Sequence, residues 1–236
     1  MWFRQDLRLS DNPALVAASK SEQVLPVYIF DDKNAGDAAL GASSKLWLYS
    51  SLKALNKQLD NKLRFLRGDP KVLLLNLIIE NNIDSIFWNR CYEPWQINRD
   101  KIIKTLLIAK GYQVESFNGS LLWEPWQVMK RDNTPYKIFT PFFRKGCLSA
   151  KTPRVPLNTP SFFIAEKDTL CGMEKLNELN LTCKNKWGDK VLRNWDIGEA
   201  AASNKLNDFL NNRLEGYREG RNYPNKNNVS RLSTHI

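Results

Sequence analysis

The polar run GYREGRNYPNKNNVSRLSTHI (Gly216 to Ile236) gathers the residue types that could hold a phosphate. Ser230 can N-cap a helix that opens after it, and exposed N–H groups with Ser233 at such an N-terminus suit an anion. Standing alone, Ser-Arg-Leu-Ser is more often an ordinary N-cap than a ligand site. A second group is basic. Between Trp126 and Pro160 stand Lys130, Arg131, Lys137, Arg144, Lys145, Lys151 and Arg154, against the single acid Asp132. Tyr136, Phe139, Phe142 and Phe143 interleave with them, a mixture that suits a polyanion such as nucleic acid. On charge alone, a solvated basic linker is the commoner explanation.

Other chemistry is missing from the sequence. His235 is the only histidine and has no evident partner for general base work. Cys91, Cys147, Cys171 and Cys183 form no CxxC pair and read as reduced thiols of a cytoplasmic protein. No catalytic triad, carboxylate dyad or metal-ligand spacing is present, and Glu93 and Glu124, each before a proline, read as local caps or pairing groups. With 42% hydrophobic and 25% charged residues the chain has the composition of a globular protein, and its net charge of +10 favours acidic partners. No apolar run approaches the roughly 18 residues of a membrane helix, and no charged n-region followed by an apolar run reads as a signal peptide.

The elements that must position these residues alternate in type. Val24–Phe30 is an apolar β-rich run, and Leu46, Tyr49, Leu52, Leu55 and Leu59 then mark one helical face. Leu63–Gly68 reads as a strand, Pro70 opens a helix, Ser85–Asn89 is the next strand, and Gly111 closes the helix after it. Tyr112–Phe117 completes the series. Such alternation predicts an α/β fold: a Rossmann-like, doubly wound, five-stranded parallel sheet covered on both faces. Ligands of such sheets sit at the carboxyl ends of the strands, where Asp31-Asp32 and Asn89-Arg90 fall. GxGxxG is absent, so this is no ordinary dinucleotide domain.

From Leu121 to about Lys190, proline and basic residues become frequent and strand signals vanish. Ala202, Leu206, Phe209, Leu210 and Leu214 then define the apolar face of a new helix. The expected division is an α/β domain over 1–125, a linker over 126–190 and the first helices of an all-α domain over 191–236.

Four clusters in register resemble the DNA photolyase/cryptochrome family: WFRQDLRLSDNPAL (Trp2 to Leu15), NRCYEPWQINRD (Asn89 to Asp100), NGSLLWEPWQVMKRDNTPYKIFTPFFRK (Asn118 to Lys145) and the run from Gly216. The first implies the end of a short strand, its loop and a helix that Asp11 or Asn12 caps with Pro13 at its first position. Arg4, Asp6 and Arg8 read as fixing that loop. The resemblance implies an FAD site in which Tyr217 contacts the cofactor and Val229, Ser230, Arg231, Leu232 and Ser233 cradle its pyrophosphate, with valine in place of the family threonine at 229. It also implies light-driven, FAD-dependent repair of cyclobutane pyrimidine dimers in DNA, with Lys130, Arg131, Lys137, Arg144 and Lys145 as candidate DNA contacts. Cryptochrome-like signalling, or a non-catalytic pigment-binding module, is the alternative. An antenna chromophore fits the N-terminal domain, but Trp95-Gln96 replaces the Asn-Glu of folate-binding members, against a folate. Most of the flavin pocket is expected in roughly 200 further residues, a domain of ordinary size, so this chain alone is expected to be inactive.

Overall fold

The computed structural model describes residues 1–166, 172–182 and 187–235. Strands and helices alternate as β1 (Trp2–Phe3), α1 (Pro13–Ala18), β2 (Val27–Phe30), α2 (Ala42–Gln58), β3 (Arg64–Arg67), α3 (Pro70–Asn81), β4 (Ser85–Asn89), α4 (Pro94–Ala109) and β5 (Gln113–Phe117). The ladders β1–β2, β2–β3 and β4–β5 are all parallel. β1 lies beside β4, with the Trp2 and Trp88 rings 5.7 Å apart edge to face. The spatial order is therefore β3-β2-β1-β4-β5, the doubly wound arrangement expected of alternating strands and helices.

The side chains show why. Period-two alternation sends Phe3, Tyr28, Phe30, Phe65 and Phe87 to one face, where they pack with Leu15 of α1 and Leu52 and Leu55 of α2. Trp2, Val27, Ile29, Leu66, Ile86 and Trp88 take the other face, against Leu74 and Leu77 of α3 and Ile103 and Leu107 of α4. Helices cover both faces, as a parallel sheet requires. Local signals set the helix ends. Asn12, not Asp11, caps α1, accepting from Leu15 N at 3.1 Å, and Asp69 caps α3. Prolines stand at the first position of α1, α3 and α4, and Gly111 adopts φ +88 beyond α4.

Two features differ from the sequence expectation. The hydrogen-bonded sheet is in two pieces among the described residues, β1-β2-β3 and β4-β5, because the two residues of β1 direct their ladder to β2. The stretch expected to be free of strands also returns to the sheet. β6 (Met173–Glu174) pairs antiparallel with β3, and Ile164 bridges Val24. The outer edge of β3 would otherwise carry unpaired N–H and C=O groups, and this short strand covers it.

Beyond β5 the chain forms a single turn α5 (Phe139–Pro141), continued by a π-helical turn over Phe142–Gly146. It ends in α6 (Trp187–Leu192), α7 (Glu199–Asn212), α8 (Tyr217–Gly220) and a 3-10 turn over Leu232–Thr234. α7 packs on α2, yet it buries no residue: Leu206 and Leu210 of its apolar face stay 43% and 50% exposed, and Leu214, just beyond the helix, 48%. None of the described helices is long and apolar enough to cross a membrane.

Candidate functional site

The carboxyl ends of β1 and β4 flank the point where the strand order reverses, the usual ligand crevice of this fold. Here the crevice is filled by the protein itself. Asn89 Nδ2 donates to Asp6 Oδ2 at 2.5 Å and to Asn12 Oδ1 at 2.7 Å, while its Oδ1 accepts from Ala14 N at 3.2 Å. Asp6 also accepts from Arg4 N at 2.8 Å and from Asn12 Nδ2 at 3.3 Å. The Arg4 guanidinium bonds Asn89 O and pairs with Asp100. Arg4, Asp6, Asn12 and Asn89 are all buried. Burial pushes the Asp6 carboxyl above its usual range, against the bonds from Arg4 N–H and the Asn89 amide. Gly119 closes the top, since a Cβ there would lie 2.5 Å from Asn89 Cγ. The N-terminus of α1, which could have held a phosphate, is thus satisfied by internal amides. Arg4 and Asp6 fix the loop, as expected, and so does Arg8, which donates to Asp11 O at 2.9 Å and Gly119 O at 2.5 Å.

Next to this plug, Arg99 pairs with Asp31 at 2.9 Å and lies between the rings of Trp2 and Trp95, 5.2 and 5.0 Å from their centroids. Arg67 pairs with Asp32 at 2.6 Å, so both aspartates after β2 are held in ion pairs. Gln96 is buried and donates to Glu93 at 2.9 Å. Glu124 accepts from Arg90 at 2.7 Å and from the Tyr92 hydroxyl at 2.8 Å. Burial and Glu124 together push the Tyr92 phenol up to about 12. Of these bonds only Glu93–Gln96 is local: Glu93 also accepts from Gln5 at 2.8 Å, and Arg90 and Tyr92 lie more than thirty residues from Glu124 in sequence.

The candidate anion cradle lies at the far end of the chain. Asn228 seats on α8, where a Cβ at Gly220 would fall 2.6 Å from Asn228 Cβ and one at Gly216 3.1 Å from Asn228 Cγ. Arg213 adds a bond to Asn227 Oδ1 at 2.6 Å. This seating leads the chain into Val229 and Ser230, and Ser230 Oγ accepts from Leu232 N at 3.4 Å. Contrary to the sequence expectation, Ser230 is not the cap of a helix: Arg231, left-handed at φ +52 and with no side-chain cap bond, takes the cap position, and only a 3-10 turn over Leu232–Thr234 follows. A left-handed residue followed by a right-handed one turns successive N–H groups toward one concavity, a nest for an anion. Ser233 is exposed at its rim, and Arg231 adds charge. The residue set fits a pyrophosphate. Tyr217 stacks edge to face on Phe209 at 5.6 Å and stays 36% exposed, with Arg221 over its ring.

Other candidates lie elsewhere. Lys130 is half-buried and Arg131, Lys137, Arg144 and Lys145 are exposed. Phe139 and Phe143 stack at 5.9 Å, and Phe139 is 73% exposed. His235 lies against Trp47 and Trp195, at 5.1 and 6.3 Å, and no carboxylate among the described residues pairs with it. Burial, and then Lys205, hold it below its usual range. Cys91 and Cys147 are buried free thiols, whereas Cys171 and Cys183 lie outside the described residues. Sequence reasoning missed Glu199, whose carboxylate binds the loop after β1, and Asn228. The Gly216–Gly220 spacing was the one available signal for the latter.

Comparison with known proteins decides the family. The sequence profile described as DNA photolyase matches residues 1–161. The chain belongs to the DNA photolyase family. It is 38% identical over 240 residues to a deoxyribodipyrimidine photo-lyase of Agrobacterium fabrum, covering 100% of this chain and 49% of that protein. Cryptochrome-2 of Arabidopsis thaliana is 30% identical over 245 residues, covering 100% of this chain and 40% of that protein. The crystal structure of a bacterial class III photolyase from Agrobacterium tumefaciens superimposes with a TM-score of 0.90 at 38% identity, over 99% of this chain and 48% of that one. A Synechocystis cryptochrome structure, at 23% identity and a TM-score of 0.77, supports the photolyase-type fold alone. The chain spans about half the length of the photolyase relatives it matches.

Proposed function

We propose that this chain supplies the α/β domain, and the first part of the flavin site, of a light-driven deoxyribodipyrimidine photolyase that splits cyclobutane pyrimidine dimers in DNA. The observation that carries this reading is the likeness to the Agrobacterium photolyase, which runs through both the sheet and the helices after Gly198. Bound FAD would supply the light-driven electron. The chain's own part is to hold the cofactor's pyrophosphate at Ser230–Ser233 and to present Tyr217 beside it. Arg231 offsets part of the phosphate charge. Lys137, Arg144 and Lys145, with the stacked Phe139 and Phe143, suit a phosphate backbone and unstacked bases. An antenna chromophore, if carried, has to bind outside the plugged crevice, and the buried Gln96 offers no carboxylate for a folate pterin. The division into 1–125, 126–190 and 191–236 belongs to this proposal, as does a cytoplasmic location with reduced thiols.

Cryptochrome-2 covers the whole chain at 30% identity, and this favours signalling as the second reading. Titration of the purified chain with FAD, with ADP as competitor, tests the cradle. Weak saturable binding with a Kd of about 0.1 to 1 mM, equivalent to a few good phosphate contacts, is expected. Both ADP and the pair Ser230→Ala, Ser233→Ala should remove it. Binding indifferent to those serines, or none at all, would overturn the assignment.

A further inference from the structure

Glu199, the first residue of α7, places its carboxylate on the loop that follows β1. Oε2 accepts from Leu9 N at 2.9 Å, and Oε1 accepts from Ser10 N at 2.9 Å and from the Ser10 hydroxyl. Gln58 of α2 adds a longer bond at 3.3 Å. Gly198 precedes it at φ +113, and a Cβ there would lie 2.7 Å from Ala54 Cβ, so the backbone of α7 starts in contact with α2. Two adjacent N–H groups on one carboxylate fix direction as well as distance, and charge-assisted bonds of this kind are the stronger ones.

The same loop holds the linker on its other side. Asp11 is left-handed at φ +47, a conformation that aspartate tolerates. Its N–H donates to Leu157 O at 2.8 Å, its carboxylate accepts from Leu157 N at 3.1 Å, and Arg154 pairs with it. The base of the loop is fixed by buried Asp6 and Asn12. Three consecutive residues thus touch all three parts of the chain. Because α7 buries none of its residues, apolar packing alone does not set its position.

We propose that Leu9–Asp11 is a clasp joining the sheet, the linker and the helical segment, and that Glu199 is the positioning residue that orients α7, and the cradle beyond it, on the α/β domain. The orientation of α7 stands on these contacts alone, while the cradle reading of the segment beyond it rests on the proposed flavin site. Burial alone would raise the Glu199 carboxyl, but the bonds from Leu9 and Ser10 hold it below the usual range. The clasp is therefore complete above the ordinary glutamate range and is lost as pH falls through the folded value. The groups facing Glu199 from the loop and from α2 are N–H groups, a hydroxyl and an amide, none of which titrates. The ionisable residues on the packed elements include Arg8 and Asp11 of the loop, the latter paired with Arg154, Lys53 and Lys57 of α2, and His235 and Lys205 at the Trp47–Trp195 cluster.

Amide exchange of the intact chain, corrected for intrinsic rates, combined with limited trypsin cleavage at Lys205, tests this. Glu199→Gln at neutral pH should speed exchange at Leu9 and Ser10, and cleavage in α7, by about tenfold, the equivalent of one lost charge-assisted bond. Ile29 and Leu66 in the sheet should exchange as before. Wild-type amide exchange should loosen in the same way as pH is lowered through and well below the ordinary glutamate range, while Glu199→Gln shows a flat profile there and His235→Gln keeps the wild-type one. Ser10→Ala, which removes one donor of the set, should give a smaller rise. Unchanged α7 cleavage in Glu199→Gln, loosening that spreads equally to the sheet, or a pH profile that survives the glutamine would each overturn the clasp.

Discussion

Asn89→Ala is the substitution on which the plugged crevice stands or falls. The side chain is 2% exposed and makes three bonds at once. Its removal leaves Ala14 N–H with no partner, at about 1–3 kcal/mol for a buried donor. It also strips the shortest bond from the Asp6 carboxylate, at about 1.5–3 kcal/mol for a bond to a charged group. Asn12 Oδ1 loses less, because Leu15 N still donates to it at 3.1 Å. The expected loss is about 3–5 kcal/mol, a large share of the 5–15 kcal/mol of a folded domain. Urea unfolding followed by tryptophan fluorescence reports it, since Trp2 and Trp88 lie in the core beside the plug. With a slope of about 3 kcal/mol per molar, the midpoint should fall by about 1 to 1.7 M. Gly119→Ala, which drives a methyl into the same amide, should lower it in the same direction. A shift under about 0.3 M for Asn89→Ala would mean that water replaces the amide, and the crevice would then be open to ligands.

Further outcomes follow from other parts of the structure. Gly220→Ala should displace Asn228, cost about 1–3 kcal/mol as a local overpacking, and weaken FAD binding in the titration above without moving the sheet's amide exchange. Leu66→Ala, at a fully buried position on the α3/α4 face, should cost about 2–5 kcal/mol in urea unfolding. The Cys91 thiol, pushed up to about 12 by burial, should resist iodoacetamide at pH 8 in the folded protein and label only as fast as the protein opens. Replacing Lys137, Arg144 and Lys145 by glutamine should weaken DNA binding and flatten its salt dependence, by a slope of about 0.9 for each duplex phosphate that is no longer neutralised.

Much of the α/β domain was legible because its signals are local. Apolar spacing in α2, proline at the start of α3 and α4, and glycine after α4 each act within a turn or two of themselves. The capping of α1 was visible too, although the choice of Asn12 over Asp11 depends on distant partners: Asn12 is held from Asn89, while Asp11 is drawn off to Leu157. What could not be read is non-local. β6 exists because the edge of β3 needs a partner, and Met173–Glu174 carries no strand pattern of its own. Glu199 looks like any acid in the first turn of a helix, and only the position of Ser10 in space gives it a second role. At the cradle the residue types were readable, whereas the left-handed turn at Arg231 and the seating of Asn228 on two glycines were not.

The most direct test of the central claim is a hybrid that carries residues 1–236 of this chain joined, at the matching position, to the remaining half of the Agrobacterium fabrum relative. Flavin content and light-dependent repair of an oligonucleotide holding one pyrimidine dimer would be measured together. A flavin-loaded hybrid that repairs in blue light, and loses its flavin on Ser230→Ala with Ser233→Ala, is the result predicted here. A folded hybrid that takes up no flavin, or keeps it regardless of those serines, would contradict the account.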